Sequence, residues 1–477
     1  MNTVLKVVTR STVLFLLCAI SVAQTGTARA TDCNSDTRVR PGFTRVYIAL
    51  GDGKDGSGKT LQNPRDGGTA EKFDHILHCY SEGCSEPGTP HRSIAKTENL
   101  IVCLGAGTFQ TRGTYDFLIS APHSGEGFAL GKGWKVHGSG RDKTTVQLTD
   151  YLSVTTEPNP RSLPKGTAIG VVFSTNSDEA SDIEISDLTV DDNYPALKQR
   201  ASRAGIRALN LQAIQLRSNA GRHWIHDVNV TNTAGEIGLI DIRFETFPVW
   251  IYSVKANSSP SDNSGNVIER VIMSNYGGGK CTAIAVANAI AEVRENRVEG
   301  YQIAYGGWTM GAVWFHDNVA VDSDYGFNID SLVNKGVRIE GNQIVHPHLY
   351  GFVIGGGGVY DDFQVRGNTV QINRPGVIAL VLQGNVRNAL IAENSFLSEN
   401  QTRGTAIRTL SAGNAGPNGS NNYQGNKINE KLKFTFKERS YKKDNCMSGN
   451  RDEGGRPLRD LPDNHDGPCV APAPALR

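Results

Sequence analysis

The chain has 477 residues, 53 of them glycine, with 7% aromatic residues and a formal net charge of +1. The length is ample for a large core. The near-neutral balance carries no electrostatic footprint for nucleic acid, so no nucleic-acid partner is expected.

The first thirty residues read as an export leader. Lys6 and Arg10 form a basic start, Val13 to Val22 is apolar, and Ala28–Arg29–Ala30 is an A-x-A cleavage site. The apolar run is too short to span a membrane. Residues 1–30 are therefore expected to be a signal peptide, and the mature protein secreted or periplasmic, with no membrane contact. Cleavage removes three positive charges and no acid, which takes the net charge from +1 to −2. Cys18 leaves with the leader, and Cys33, Cys79, Cys84, Cys103, Cys281, Cys446 and Cys469 remain. Export favours disulfides. Seven thiols leave one odd, and the sequence does not fix the connectivity.

Residues 31–150 are expected to hold an N-terminal cap and the first coils. Val46–Leu50 is a candidate first strand, and 70–82 a short helix closing an open end. Gly53–Lys54–Asp55–Gly56–Ser57–Gly58–Lys59–Thr60 matches a phosphate-binding loop, but Pro64 and Gly67–Gly68 follow where a helix is needed. A surface loop is the better reading. Asp52, Asp55 and Asp66 could hold Ca²⁺ there, although the spacing is not that of an EF-hand. No motif requires a cofactor, and no C-x-x-C pair suggests another metal. Residues 151–182, with three prolines and a Ser/Asp cluster, read as loop.

From 183 onward the phrase aliphatic–x–x–Asn–x–aliphatic recurs. It is centred on Asn296, Asn318, Asn342, Asn368, Asn394 and Asn426, with steps of 22, 24, 26, 26 and 32 residues. Ile185–Val190, Ile225–Val230 and Ile268–Met273 keep the shape without the Asn. A period in the twenties means a solenoid. Val, Ile, Phe, Thr and Tyr alternate with period two, which favours strands over helices. Each coil suits three short strands, stacked about 4.8 Å from the next. The Asn should mark a bend, since it tolerates left-handed backbone and its amide can ladder onto the next. The steps from Leu188 to Val228 and on to Val271 are 40 and 43 residues, so these coils carry insertions or count as two each. The coils are expected over 151–430, followed by an irregular tail at 431–477.

This pattern resembles the pectin-lyase-like superfamily of secreted right-handed, single-stranded parallel β-helix proteins. Residues 99–109 (NLIVCLGAGTF) and 134–148 (WKVHGSGRDKTTVQL) resemble the opening coils of its members. The resemblance implies an all-β solenoid and a polysaccharide partner. Catalytic motifs match only in part. Asp361–Asp362 and Arg338–Ile339–Glu340 echo polygalacturonase-like hydrolases, which also carry N-T-D and G-H-G. Val313–Trp314–Phe315–His316–Asp317 echoes the v-W-i-D-H of pectate lyases with acid and His exchanged.

Aligning coils on the Asn gives a polar column six residues on: Gln302, Asp324, His348, Arg374, Asn400. Four residues on it reads Gly300, Asp322, His346, Ile372, Ser398. Asp322, Asp324, His346, His348 and Arg374 are the candidate catalytic residues. Tyr301, Tyr305, Trp308 and Tyr350 are candidate sugar-stacking rings. Two carboxylates two residues apart on extended chain approach the gap of an inverting glycosidase. A lyase instead needs a base near the sugar's C5 proton and a cation for its carboxylate, a part open to Arg374 or Arg338. A second column two before the Asn, Arg294, His316, Glu340 and Arg366, reads as structural charge alternation. The leading expectation is an exported lyase or glycoside hydrolase acting on a uronate-containing or related polymer. The alternative is a non-catalytic carbohydrate-binding or adhesion β-helix.

Overall fold

The computed structural model describes residues 42–51, 55–85, 93–113, 129–154, 166–175, 177–236, 246–253, 263–274, 276–279, 281–308, 312–330, 333–410, 420–436, 445–458 and 464–465. The expected signal peptide, Cys33, Asp52 and Cys469 lie outside these residues.

Each coil is three strands. One coil runs Ala291–Arg294, Arg297–Glu299 and Ile303–Trp308, and the next Val313–His316, Val319–Val321 and Tyr325–Ile329. Each strand pairs in parallel with its counterpart one coil on. Val293 faces Phe315, then Ile339, Val365, Ile391, Tyr423 and Met447 in turn. On the third strand Tyr305 faces Phe327, then Phe352, Leu380 and Ile407. These inward side chains are buried and form one continuous core. The fold is thus a parallel β-helix, wound in the right-handed sense that parallel crossovers adopt.

The asparagines sit at the corner between first and second strands, and all are buried. The left-handed residue is not the Asn, as expected from its tolerance, but the one before it: Glu295, Asp317, Gly341, Gly367, Glu393 and Gly425 all have positive φ. That bend turns the Asn inward. Its Nδ2 and backbone N–H then donate to the Oδ1 of the next Asn, as from Asn318 to Asn342 at 2.9 and 3.0 Å. Earlier coils bend at Asp187, Asp227 and Arg270, with Leu188, Val228 and Val271 buried in place of the amide.

Leu188 pairs directly in register with Val228, so the long steps are insertions within single coils. One insertion is a helix, Tyr194–Arg203, which packs Leu197 and Ala201 inward. The stretch 151–182 is more ordered than expected. It holds the strand Thr167–Ser174, whose apolar run is flanked by the residues that suggested loop. The coil pattern also continues past residue 430 through Leu432–Phe436 and Cys446–Ser448, and Asn450 extends the ladder.

At the N-terminal end the helix Ala70–Glu82 begins at Thr69, whose hydroxyl accepts from Lys72 N–H, and stops at Gly83. It buries Phe73, Ile76 and Leu77, with Phe73 against Phe109 at 5.3 Å. A disulfide joins Cys79 to Cys84, and Cys103 and Cys446 are also disulfide-bonded. Cys281 is buried and is not part of a disulfide. No helix among the described residues is long and apolar enough to cross a membrane.

Candidate functional site

The turn between second and third strands carries the polar columns. Gly300, Asp322 and His346 occupy the same left-handed position in three successive coils. The backbone closes each turn against the next: Asp322 N–H donates to Val345 O at 3.0 Å, and His346 N–H to Gln371 O at 2.9 Å. Ser323 and Pro347 face inward and are buried, which leaves the flanking acids and imidazoles at the surface.

Two imidazoles are each held by acid from other turns. His348 Nδ1 lies 3.1 Å from Asp324 Oδ1. His346 Nε2 lies 3.1 Å from Glu399 Oε2, and its Nδ1 lies 3.8 Å from Asp322 Oδ1. Gln371 donates to the other oxygen of Glu399. Arg374 stands exposed on the turn one coil further and makes no ion pair with a described residue. Tyr325 and Tyr350 form a tilted ring pair with centroids 5.1 Å apart, and burial raises the Tyr325 hydroxyl pKa. Leu349, between His348 and Tyr350, is 47% exposed.

Two of the four expected stacking rings are not at the surface. Tyr301 and Tyr305 are 1% and 0% exposed. The Tyr305 hydroxyl donates into the backbone at Asn296 and Val319, 3.0 Å each, and its ring stacks on Phe327. Tyr301 OH meets Thr233 Oγ1 at 2.8 Å inside the coil. The alternation of the third strand turns Tyr305 inward with Phe327 and Phe352. Trp308 ends its strand in register with Ala287, and its side chain lies outside the described set.

Glu399, Gln371 and Leu349 were missed by the column. Counting from Asn394 gives Ser398 and Asn400, but Asn400 and Gln401 are both left-handed, and this extra bend brings Glu399 to His346. Asp361–Asp362 lies elsewhere, at the far end of the strand Tyr350–Asp361. Of the acids suggested for Ca²⁺, Asp55 and Asp66 are engaged otherwise: Asp55 pairs with Arg65 at 2.7 Å and Asp66 with Lys72 at 2.5 Å. The Gly53–Thr60 segment is not followed by a helix, since the next one starts only at Ala70. Among the described residues the one grouping of three metal-ligand side chains is His75, Cys79 and Cys84, and its two thiols form the disulfide.

No protein-family model matches the chain, and no curated protein does. Among solved structures it aligns with a mannuronan C-5 epimerase A-module of Azotobacter vinelandii at 16% identity, over 77% of this chain and 88% of that one, TM-score 0.36. An exopolygalacturonase from Thermotoga maritima aligns at 12% identity over 74% and 84%, TM-score 0.42. A tailspike protein of E. coli bacteriophage HK620, in complex with a pentasaccharide, aligns at 12% identity over 73% and 59%, TM-score 0.42. The β-helix itself is established by the strand registers.

Proposed function

We propose that the chain is an exported polysaccharide-active protein, a lyase acting on a uronate-containing or related polymer at the turns of coils 319–376. The carrying observation is the His348–Asp324 pair. An ionised Asp324 accepts Nδ1–H and fixes the tautomer, so His348 Nε2 keeps its lone pair for a proton. In a β-elimination that nitrogen takes the C5 proton, a C4–C5 double bond forms, and the C4–O bond breaks with its electron pair. The leaving oxygen is protonated by solvent. Arg374, or Ca²⁺ bound with the substrate, would steady the sugar carboxylate. Leu349 and Tyr350 supply an apolar edge for a pyranose face.

Lyase chemistry is favoured over hydrolysis because Asp324 and Glu399 are each bonded to an imidazole, which leaves Asp322, 3.8 Å from His346, as the one remaining carboxyl group of the cluster. Inverting hydrolysis needs one carboxyl group protonated and a second free to activate water. The leader at residues 1–30 and the disulfides support export.

The test is incubation with a panel of acidic and neutral polysaccharides, with and without Ca²⁺. Absorbance from unsaturated ends is expected, and it should be lost in Asp324→Asn. New reducing ends without that absorbance would make the protein a hydrolase. No product on any polymer would leave the non-catalytic binding reading.

A further inference from the structure

A constellation of side chains occurs twice on the outer face of the first strands, three coils apart. The copies are Trp224–Ile225–His226–Asp227 and Trp314–Phe315–His316–Asp317. In each, a glutamate one coil earlier, in register with the Trp, meets His Nε2: Glu184 at 3.2 Å and Glu292 at 3.0 Å. In each, a left-handed Asp meets Nδ1, at 2.9 and 2.8 Å. The indole stacks on the imidazole, with centroids 3.5 and 4.0 Å apart. It also donates Nε1–H to a glutamate one coil later, Glu269 at 3.1 Å or Glu340 at 2.9 Å.

The copies differ in their cations. After Glu269 comes Arg270, left-handed, whose guanidinium bridges the two acids. Nε and Nη2 reach Asp227 at 3.0 and 2.8 Å, and Nη2 reaches Glu269 at 2.9 Å. These bonds hold the Asp227 carboxyl down at about 2. After Glu340 comes Gly341, with the same left-handed backbone. A Cβ there would lie 3.0 Å from Asp317 Oδ1, so the glycine stands where Arg270 sends out its side chain. Lys135, on Glu184 at 2.7 Å in the first copy, has Val267 as its register equivalent in the second. Glu292 takes Arg294 instead, at 2.8 Å. Among the described residues neither Asp317, its side chain 64% exposed, nor Glu340 forms an ion pair with Lys or Arg, and Arg366 acts on Glu340 through its charge alone. Arg366, beside Glu340, is committed to Glu393 at 3.0 Å, and the exposed Arg338 pairs with neither acid. Trp314 is 38% exposed.

We propose that the second copy is a site for a guanidinium group from another molecule, an arginine side chain of a partner polypeptide. The molecule carries its own template, because Arg270 occupies the equivalent place in the first copy. A planar fork can bridge an Asp and a Glu while lying beside an indole, whereas an ammonium is a single point charge. The site lies on the first strands, not on the turn between second and third strands assigned to the polymer, and does not depend on that assignment.

The test is calorimetric titration of the full chain at low ionic strength with end-blocked tri-arginine, tri-lysine and a glucosamine trimer, with indole fluorescence read in parallel. Tri-arginine should bind with a fluorescence change, and tri-lysine several-fold more weakly. Gly341→Arg, which rebuilds the internal occupant, should weaken tri-arginine at least tenfold, as should Asp317→Asn. Three results would overturn the proposal: no tri-arginine binding up to millimolar concentration, wild-type binding by Gly341→Arg, or preference for the glucosamine trimer. Should Gly341→Arg melt early, the exposed Asp317→Asn decides alone: loss of binding supports the site, and retention overturns it.

Discussion

Two corners of the same coil follow opposite rules. At the ladder corner every amide is buried and bonded on both sides. Asn342 accepts from Asn318, donates to Asn368 Oδ1 at 2.9 Å, and reaches back to Phe315 O at 3.0 Å. Within the ladder each place needs a side chain with both donor and acceptor, so the residue repeats from Asn296 to Asn450. At the opposite corner, backbone bonds alone close the turn, and the side chains are free to change: Gly300–Tyr301–Gln302, then Asp322–Ser323–Asp324, then His346–Pro347–His348. A corner satisfied by its own backbone can be given to chemistry, and one satisfied by its side chains cannot.

The largest expected effect sharpens this contrast on the chemical side. His348→Ala should lower turnover on the cleaved polymer by about 10²–10⁴-fold, with an unchanged melting midpoint. A variant that loses stability instead would make His348 part of the scaffold. Next comes Asn342→Ala, which orphans buried groups on both neighbouring coils. Groups left unsatisfied this way cost about 1–3 kcal/mol each, so a loss on the order of 3 kcal/mol is expected in chemical denaturation. His346→Ala should stay within about 0.5 kcal/mol, as surface changes do. Equal losses would erase the difference between the corners.

The capped end offers a third kind of place. Asp74, 1% exposed beneath the first coil, is pushed up to about 6 by burial, against bonds from Thr111 Oγ1–H and Arg112 N–H. Its folded pKa is raised, so its contribution to stability is complete below the unfolded value near 3.8 and is lost as pH rises through about 6. The swing is on the order of 3 kcal/mol. Denaturation midpoints of wild type minus Asp74→Asn, followed from pH 3.5 to about 7, should carry that slope, and a flat difference would contradict it. The smallest effect is Leu349→Ala, which should raise KM several-fold without moving kcat or the melt, provided the exposed Leu349 lines the polymer path.

The ladder was legible because a buried amide leaves a fixed residue at a fixed step. The stacked register followed from it, and it brings Asp324 to His348 as the six-residue column anticipated. The bend was read one residue late, because the chain turns at Glu295 or Gly341 and only then buries the Asn. Tyr301 and Tyr305 were misread because aromatic residues near a polar turn look alike in sequence whether they face in or out. Strand parity decides, and the third strand's starting residue is not written in its composition. Glu399 was hidden by two consecutive left-handed residues, a local irregularity that no periodic count contains. The duplicate Trp-x-His-Asp phrase was visible as letters, but its missing cation emerges only when Gly341 is seen across from Arg270.

That coils stack so that residues about two dozen apart are lateral neighbours can be tested with one cross-link. Gln343 and Thr369 are Cα partners on adjacent coils beside the proposed site, within the reach of a disulfide between adjacent strands. Gln343→Cys/Thr369→Cys should oxidise to a single 343–369 linkage, read by peptide mass mapping under non-reducing conditions, in a protein that melts no lower than wild type. Two free thiols after oxidation, or linkage of either cysteine elsewhere, would contradict the stacking and with it the proposed site.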